Sequence, residues 1–108
     1  MDPTTQSRYD ARAQIAKAIA HPSRLFILDE LTKNGPRCVG ELAGMIGSDI
    51  STVSRHLSIL RVAGLIETTK QGTHIFYRVR CRCVTQLFDC IENVVHQNRS
   101  ESARVLAR

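Results

Sequence analysis

The chain has 108 residues, enough for one domain with a single small core. Its hydrophobic content of 43% is ordinary for a globular protein, and its net charge of +5 suits contact with phosphates. No apolar run approaches the ~20 residues of a membrane span, and residues 1–10 lack the apolar centre of a secretory signal. We therefore expect a cytoplasmic protein with no membrane partner.

Apolar spacing and helix-stop residues predict two helices in the first third of the chain. Residues 1–10 are polar and predict a flexible tail, followed by a first helix over residues 11–20. Pro22 suits the first turn of a second helix. The Asn-Gly-Pro run at residues 34–36 ends that helix, because Gly takes the left-handed cap and Pro cannot continue.

Two more helices with a tight turn between them follow. A short extended connector, residues 37–39, leads to a compact helix over residues 41–46, and Gly47 supplies the turn. Ser48 is the expected N-cap of a helix over residues 49–63. This last helix has one apolar stripe that we expect to be buried, formed by Ile50, Val53, Leu57 and Leu60.

The rest of the chain predicts a hairpin and a final helix. Residues 65–69 and 74–80 have the pattern of two strands joined around residues 70–73. A helix follows over residues 82–97, and residues 98–108 predict a second flexible tail. The fold class is mainly α with a small hairpin (α+β). It is a single winged helix-turn-helix domain with about five helices and a two-stranded wing.

Such a unit places one helix in the DNA major groove and its wing against the flanking backbone. Small polar and cationic side chains lie opposite the apolar stripe of the helix over residues 49–63, and basic and polar ones lie at the hairpin tip. His56 either contacts a phosphate or packs against the scaffold. The predicted DNA contacts are Ser51, Thr52, Ser54, Arg55, His56, Ser58, Lys70, Gln71 and Thr73.

The sequence resembles the ArsR/SmtB family of bacterial winged-helix repressors over residues 11–97. The matching motifs occur in the order of the family, at residues 20–25, 39–43, 51–57, 60–66 and 72–78. The resemblance implies a homodimer clasped by its first and last helices. It also implies binding to an operator of dyad symmetry and release by an inducer. No nucleophile-base set, phosphate loop or catalytic carboxylate pair suggests an enzyme.

The four cysteines, without a secretory signal, indicate reduced thiols or ligands and not a disulfide framework. Cys81 and Cys83 lie where zinc-type family members carry an Asp-x-His pair. The later ligand positions of those members correspond to Val94 and Gln97, which cannot complete a zinc site. Cys38 keeps the first cysteine of the arsenic-type motif Cys-Val-Cys-Asp-Leu, but its second cysteine is Gly40 here.

The predicted inducer is a soft ion, As(III) or Sb(III), with Cd(II), Pb(II) and Zn(II) as further candidates and no permanent cofactor. Cys81 and Cys83 are the expected ligands, and Cys38 of either subunit is a third. Cys90 is a weaker candidate, because it lies about 10 Å along one helix from Cys83 and shares an apolar face that predicts buried packing. A redox or reactive-sulfur sensor using the same cysteines is the alternative. A winged-helix protein without an inducer is a second alternative.

Overall fold

The computed structural model describes residues 1–107, which form five helices and a three-stranded antiparallel sheet. This is the predicted fold class, with one strand more than predicted. Among these residues, none of the helices is both long enough and apolar enough to cross a bilayer. In chain order the elements are α1 (Pro3–Ile19), α2 (Pro22–Asn34), β1 (Arg37–Cys38), α3 (Val39–Ile46), α4 (Ile50–Val62), β2 (Ile66–Gln71), β3 (His74–Val79) and α5 (Val84–Ala107).

Both terminal helices are longer than predicted. Helix α1 begins at Pro3, because Asp2 caps it by accepting a hydrogen bond from the Thr5 N–H at 2.8 Å and Pro suits a first helical position. Helix α5 continues to Ala107, past the predicted end at residue 97. Residues 3–10 and 98–107 of the two segments predicted as tails are therefore helical. Their flexibility stays a prediction, and Arg108 lies outside the described residues.

The helix-turn-helix consists of α3 and α4. Gly47 ends α3 with φ of 79°, a left-handed conformation that favours glycine, as predicted. The N-cap of α4 is Asp49 and not Ser48, because α4 begins at Ile50 and the Asp49 carboxylate accepts a hydrogen bond from the Thr52 N–H at 2.7 Å. The shift of one residue leaves the predicted faces of α4 in place.

The sheet has the strand order β1-β3-β2. Strands β2 and β3 form the predicted hairpin, with Gln71 opposite His74 and a two-residue turn between them. The expected two-stranded wing gains a third strand, because Arg37 and Cys38 of β1 pair with Tyr77 and Phe76 of β3. A strand of two residues has no alternating pattern, so the sequence indicated only a connector there.

The core lies between α2, α3, α4 and the sheet, and it consists of aliphatic side chains. Its fully buried members are Ile27, Leu28, Leu31, Leu42, Val53, Leu57, Leu60 and Ile66. Helix α5 joins this core through Val84 and Phe88 near its start. Its other apolar side chains, Leu87, Ile91 and Val94, remain 41–54% exposed in the single subunit.

Candidate DNA-binding surface and cysteine site

Helix α4 buries one face and presents the opposite one. Val53, Leu57 and Leu60 are 0% exposed, which confirms most of the predicted stripe. Ile50 was expected in that stripe, but it is 57% exposed at the first turn of α4. Ile50 is the first residue of α4 and precedes the part of the helix that packs on the core. The prediction that its side chain is buried was therefore wrong.

The predicted DNA-contacting side chains of α4 occupy two different environments. Ser51, Arg55 and Ser58 are exposed on the outer face, while Thr52 and Ser54 are half-buried at its edges. Ser58 also lines a groove between α4 and α1, together with Ala18. Ser58 therefore lies at the side of the predicted contact surface that is nearest to α1.

His56 lies on the inner edge of α4. Its ring is 4.4 Å, between centroids, from the ring of His21, whose Nδ1 accepts a hydrogen bond from the Ser23 N–H at the start of α2. Burial, and then the charges of His21, Arg24 and Arg55, lower the pKa of His56 below its ordinary value. Within residues 1–107 its Nδ1 is buried and has no hydrogen-bond partner. Of the two roles considered for His56, this placement favours packing against the scaffold.

The wing tip is exposed and polar. Lys70, Gln71 and Thr73 are all exposed around the turn of the β2–β3 hairpin. Arg78 further along β3 pairs with Glu67 across the hairpin, with Nε and Oε1 3.0 Å apart. The free positive charge of the wing is therefore at its tip.

Cations on α4 and the wing tip remain available to an anionic partner. Throughout residues 1–107, the ion pairs engage Lys33, Arg37 and Arg78 and leave out Arg55, Arg61 and Lys70. Unpaired surface cations next to small hydroxyl side chains are what phosphate contact and base-edge contact require.

Cys81 and Cys83 are joined as a disulfide, with their Cα atoms 5.4 Å apart. The expectation of reduced thiols is therefore corrected for this pair, because two cysteines with one residue between them are close enough to bridge here. The pair occupies the connection between β3 and α5, where both residues are exposed.

Cys38 and Cys90 are free thiols in other parts of the fold. Cys38 pairs with Phe76 in the sheet, and the extended chain from Phe76 to Arg80, just past the end of β3, covers about 13 Å. Cys38 is therefore too far from Cys81 to share an ion with it inside one subunit. Among residues 1–107, no three His, Cys, Asp or Glu side chains are grouped to hold a metal ion.

Cys90 is exposed and not buried as predicted, since the apolar face of α5 to which it was assigned is uncovered in the single subunit. Sequence reasoning also missed a contact of Arg80. Its guanidinium donates a hydrogen bond to the carbonyl oxygen of Gly64, just after α4. A contact across 16 residues has no local sequence signal.

The buried helix-turn-helix, the outward face of α4 and the polar hairpin tip define a winged helix-turn-helix DNA-binding protein. Residues 21–68 match the family described as bacterial regulatory protein, arsR family. The regulator NmtR of Mycobacterium tuberculosis is 44% identical, over 73% of this chain and 68% of its own. The biofilm growth-associated repressor of Xylella fastidiosa is 33% identical, over 82% and 77%.

A solved structure is similar to this chain in its fold. The homodimeric winged helix-turn-helix domain Mb0332 of Mycobacterium bovis is similar with a TM-score of 0.78 and 31% identity, over 94% of this chain and 93% of its own. The chain belongs to the arsR family of bacterial regulatory proteins. It is a DNA-binding transcriptional repressor of that family and not an enzyme.

Proposed function

We propose that the protein binds a two-fold symmetric operator as a homodimer and that chemistry at Cys81 and Cys83 releases it. The observation that carries the proposal is the position of this cysteine pair, which lies between the strand that carries the wing and helix α5. A chemical change in this connection can alter the orientation of the helix-turn-helix and wing relative to α5, through which the dimer would form. A repressor acts where the chromosome lies, so we place it in the cytoplasm.

The uncovered apolar face of α5 supports a homodimer. Leu87, Ile91 and Val94 recur at helical spacing, and each is 41–54% exposed in the single subunit. A second copy would bury this face. Two-fold symmetry would then set two α4 helices about 34 Å apart, the separation of successive major grooves.

The first candidate inducer is a soft ion such as As(III) or Sb(III). Reduced Cys81 and Cys83 offer two sulfurs at one point, a donor set that suits thiophilic ions. With no third donor grouped beside them among residues 1–107 of the same subunit, these two sulfurs fit a two-sulfur chelate. A third sulfur, such as that of Cys38, would have to come from the partner subunit.

The second candidate is oxidation, which the Cys81–Cys83 disulfide favours. With a hydroperoxide as oxidant, the two thiols lose two electrons and two protons as the S–S bond forms. The O–O bond of the oxidant breaks, and its oxygens leave as water and an alcohol, or as two waters from hydrogen peroxide. Arg80 precedes the pair and Arg82 lies between its two cysteines, and positive charge next to the sulfurs favours the reactive thiolate.

Either chemistry acts through a shift of population. The reduced, ion-free dimer holds both α4 helices at the operator spacing, and the modified dimer favours another arrangement. This requires that the ion binds, or the disulfide forms, more readily in the arrangement that does not fit DNA.

The test begins with a duplex selected from a random library by the reduced protein. Its Kd is then measured for reduced protein, after arsenite or cadmium, and after hydrogen peroxide. We expect at least one treatment to weaken binding by about 5–150-fold, the usual range of allosteric coupling. Cys81→Ser and Cys83→Ser should abolish the response, and Cys90→Ser is the matched control.

The outcomes separate the two chemistries. A response to arsenite under full reduction supports the ion, and a response to peroxide with loss of two thiols per subunit supports the disulfide. Failure to select any duplex would refute the DNA-binding proposal. A selected duplex whose Kd is the same under every treatment would refute the sulfur switch.

A further inference from the structure

Helix α4 ends in a tightly bonded turn. The Leu65 N–H donates a hydrogen bond to the Leu60 carbonyl at 3.0 Å, and the Gly64 N–H donates to the Arg61 carbonyl at 2.9 Å. Gly64 has φ of 81°. This is the Schellman arrangement, in which these two bonds satisfy carbonyls of the last helical turn. The carbonyls of Gly64 and Leu65 come after that turn and accept hydrogen bonds from elsewhere in the fold.

Arg80 occupies both of these carbonyls. Its Nη1 donates to the Gly64 oxygen at 3.1 Å, and its backbone N–H donates to the Leu65 oxygen at 2.9 Å. A Cβ added to Gly64 would lie 3.1 Å from the same Nη1, so the guanidinium lies close against the turn. One residue therefore attaches the end of β3 to the end of the DNA-reading helix, by main chain and side chain together.

The next residue, Cys81, is one end of the disulfide. On the far side of the pair, the Gln86 N–H donates to the Cys83 carbonyl at 3.0 Å, and Val84 is buried. The segment from Arg80 to Val84 is thus held at both ends, with the cysteines between. A change that alters the conformation of residues 81–83 must be absorbed at one of these ends.

We infer that Arg80 is the positioning residue that transmits the chemical state of Cys81 and Cys83 to helix α4. This inference rests on the proposed sulfur switch and names the contact through which it acts. Joining or releasing the two sulfurs moves the main chain at residue 81. The Arg80 guanidinium carries that movement to the Gly64 carbonyl, and so to the C-terminal end of α4.

The test compares Kd ratios and not single affinities. For each protein, the Kd for the duplex selected by reduced wild type is measured after dithiothreitol and after hydrogen peroxide or arsenite, whichever acts on wild type. A coupling residue changes the ratio of the two Kd values. A phosphate contact or a general structural role changes both values alike and leaves the ratio unchanged.

The variants separate charge from geometry. Arg80→Gln removes both the charge and the guanidinium fork, while Arg80→Lys keeps the charge and loses the fork. Arg82→Gln is the matched control, because Arg82 flanks Cys81 on the other side and its side chain makes no hydrogen bond or ion pair among residues 1–107. It reports any effect of a lost charge on the thiols.

We expect the wild-type ratio, about fivefold or more, to fall toward one in Arg80→Gln and Arg80→Lys. It should persist in Arg82→Gln when each treatment is run to completion, because the lost charge changes how fast the thiols react and not the Kd of the fully modified protein. If Arg80→Gln does not fold, Arg80→Lys decides. A wild-type ratio retained in the folded Arg80 variants would overturn the inference and leave the proposed function standing. A ratio of one in wild type itself would overturn both.

Discussion

Arg55 provides the sharpest test of the DNA-binding surface. It lies exposed on the outer face of α4, and among residues 1–107 its guanidinium forms no ion pair. If it contacts a phosphate, Arg55→Gln removes one such contact from each subunit. The loss should then appear in the salt dependence of binding, because each neutralised phosphate releases condensed counterions.

The expected size of the change follows from the proposed two-fold symmetry. The slope of log K against log salt changes by about 0.9 for each phosphate contact, so Arg55→Gln in a homodimer should flatten the slope by about 1.8. Over a fourfold rise in salt, from about 50 mM to about 200 mM, wild type should then lose about tenfold more affinity than the variant.

The assay is fluorescence anisotropy with the selected duplex at several salt concentrations. Lys33→Gln is the matched control, because it removes the same charge from α2, where Lys33 pairs with Asp29 at 3.0 Å. Its slope should equal that of wild type. Equal slopes for wild type and Arg55→Gln would refute the phosphate contact, and equal flattening in Lys33→Gln would show that net charge alone matters.

Three further predictions concern stability. Leu57 is 0% exposed, so Leu57→Ala should lower the free energy of unfolding, measured in urea, by about 2–5 kcal/mol. Val62 is 89% exposed, so Val62→Ala should change that free energy by less than about 0.5 kcal/mol. Similar losses in the two variants would contradict the core assignment. Gly64 has φ of 81°, so Gly64→Ala should lower the free energy of unfolding by about 1–2 kcal/mol. Gly44 lies in open space on α3, so Gly44→Ala should not destabilise the fold. An unchanged free energy of unfolding in Gly64→Ala would refute the strain argument. Since the folded state lowers the pKa of His56, the unfolded chain takes up that proton first as pH falls below about 6.5. Wild type should therefore lose stability between about pH 8 and about pH 5, and His56→Gln should lose less; equal losses would refute a contribution from this imidazole.

The sequence predicted the elements whose signals are local. Helix α2 carries Pro at its start and Asn-Gly-Pro at its end, and α4 has three core residues at helical spacing. The β2–β3 hairpin has an alternating second strand and a glycine in its turn. In each case, neighbouring residues fix both the backbone conformation and the buried face, so the pattern can be recognised without the tertiary structure.

The features that the sequence did not predict depend on distant partners or on weak local signals. The pairing of β1 with β3 and the bond of Arg80 to Gly64 join segments with no shared periodicity. The contact of His21 with His56 likewise depends on how α2 crosses α4. By contrast, the Asp2–Pro3 start of α1 carries a recognisable cap, which its polar surroundings obscured.

The connection at residues 80–84 gives a physical reason why a small chemical change could control DNA binding. Helix α4 has 13 residues and is therefore about 20 Å long. A rotation of about 10° at the end that Arg80 holds would move the other end by about 3.5 Å, close to the ~3.4 Å rise of one base pair. The N-terminal end of α4, with Ser51, is the part expected to reach the bases. A displacement of one base-pair step in each subunit would break the match to both half-sites, without any unfolding of the winged domain.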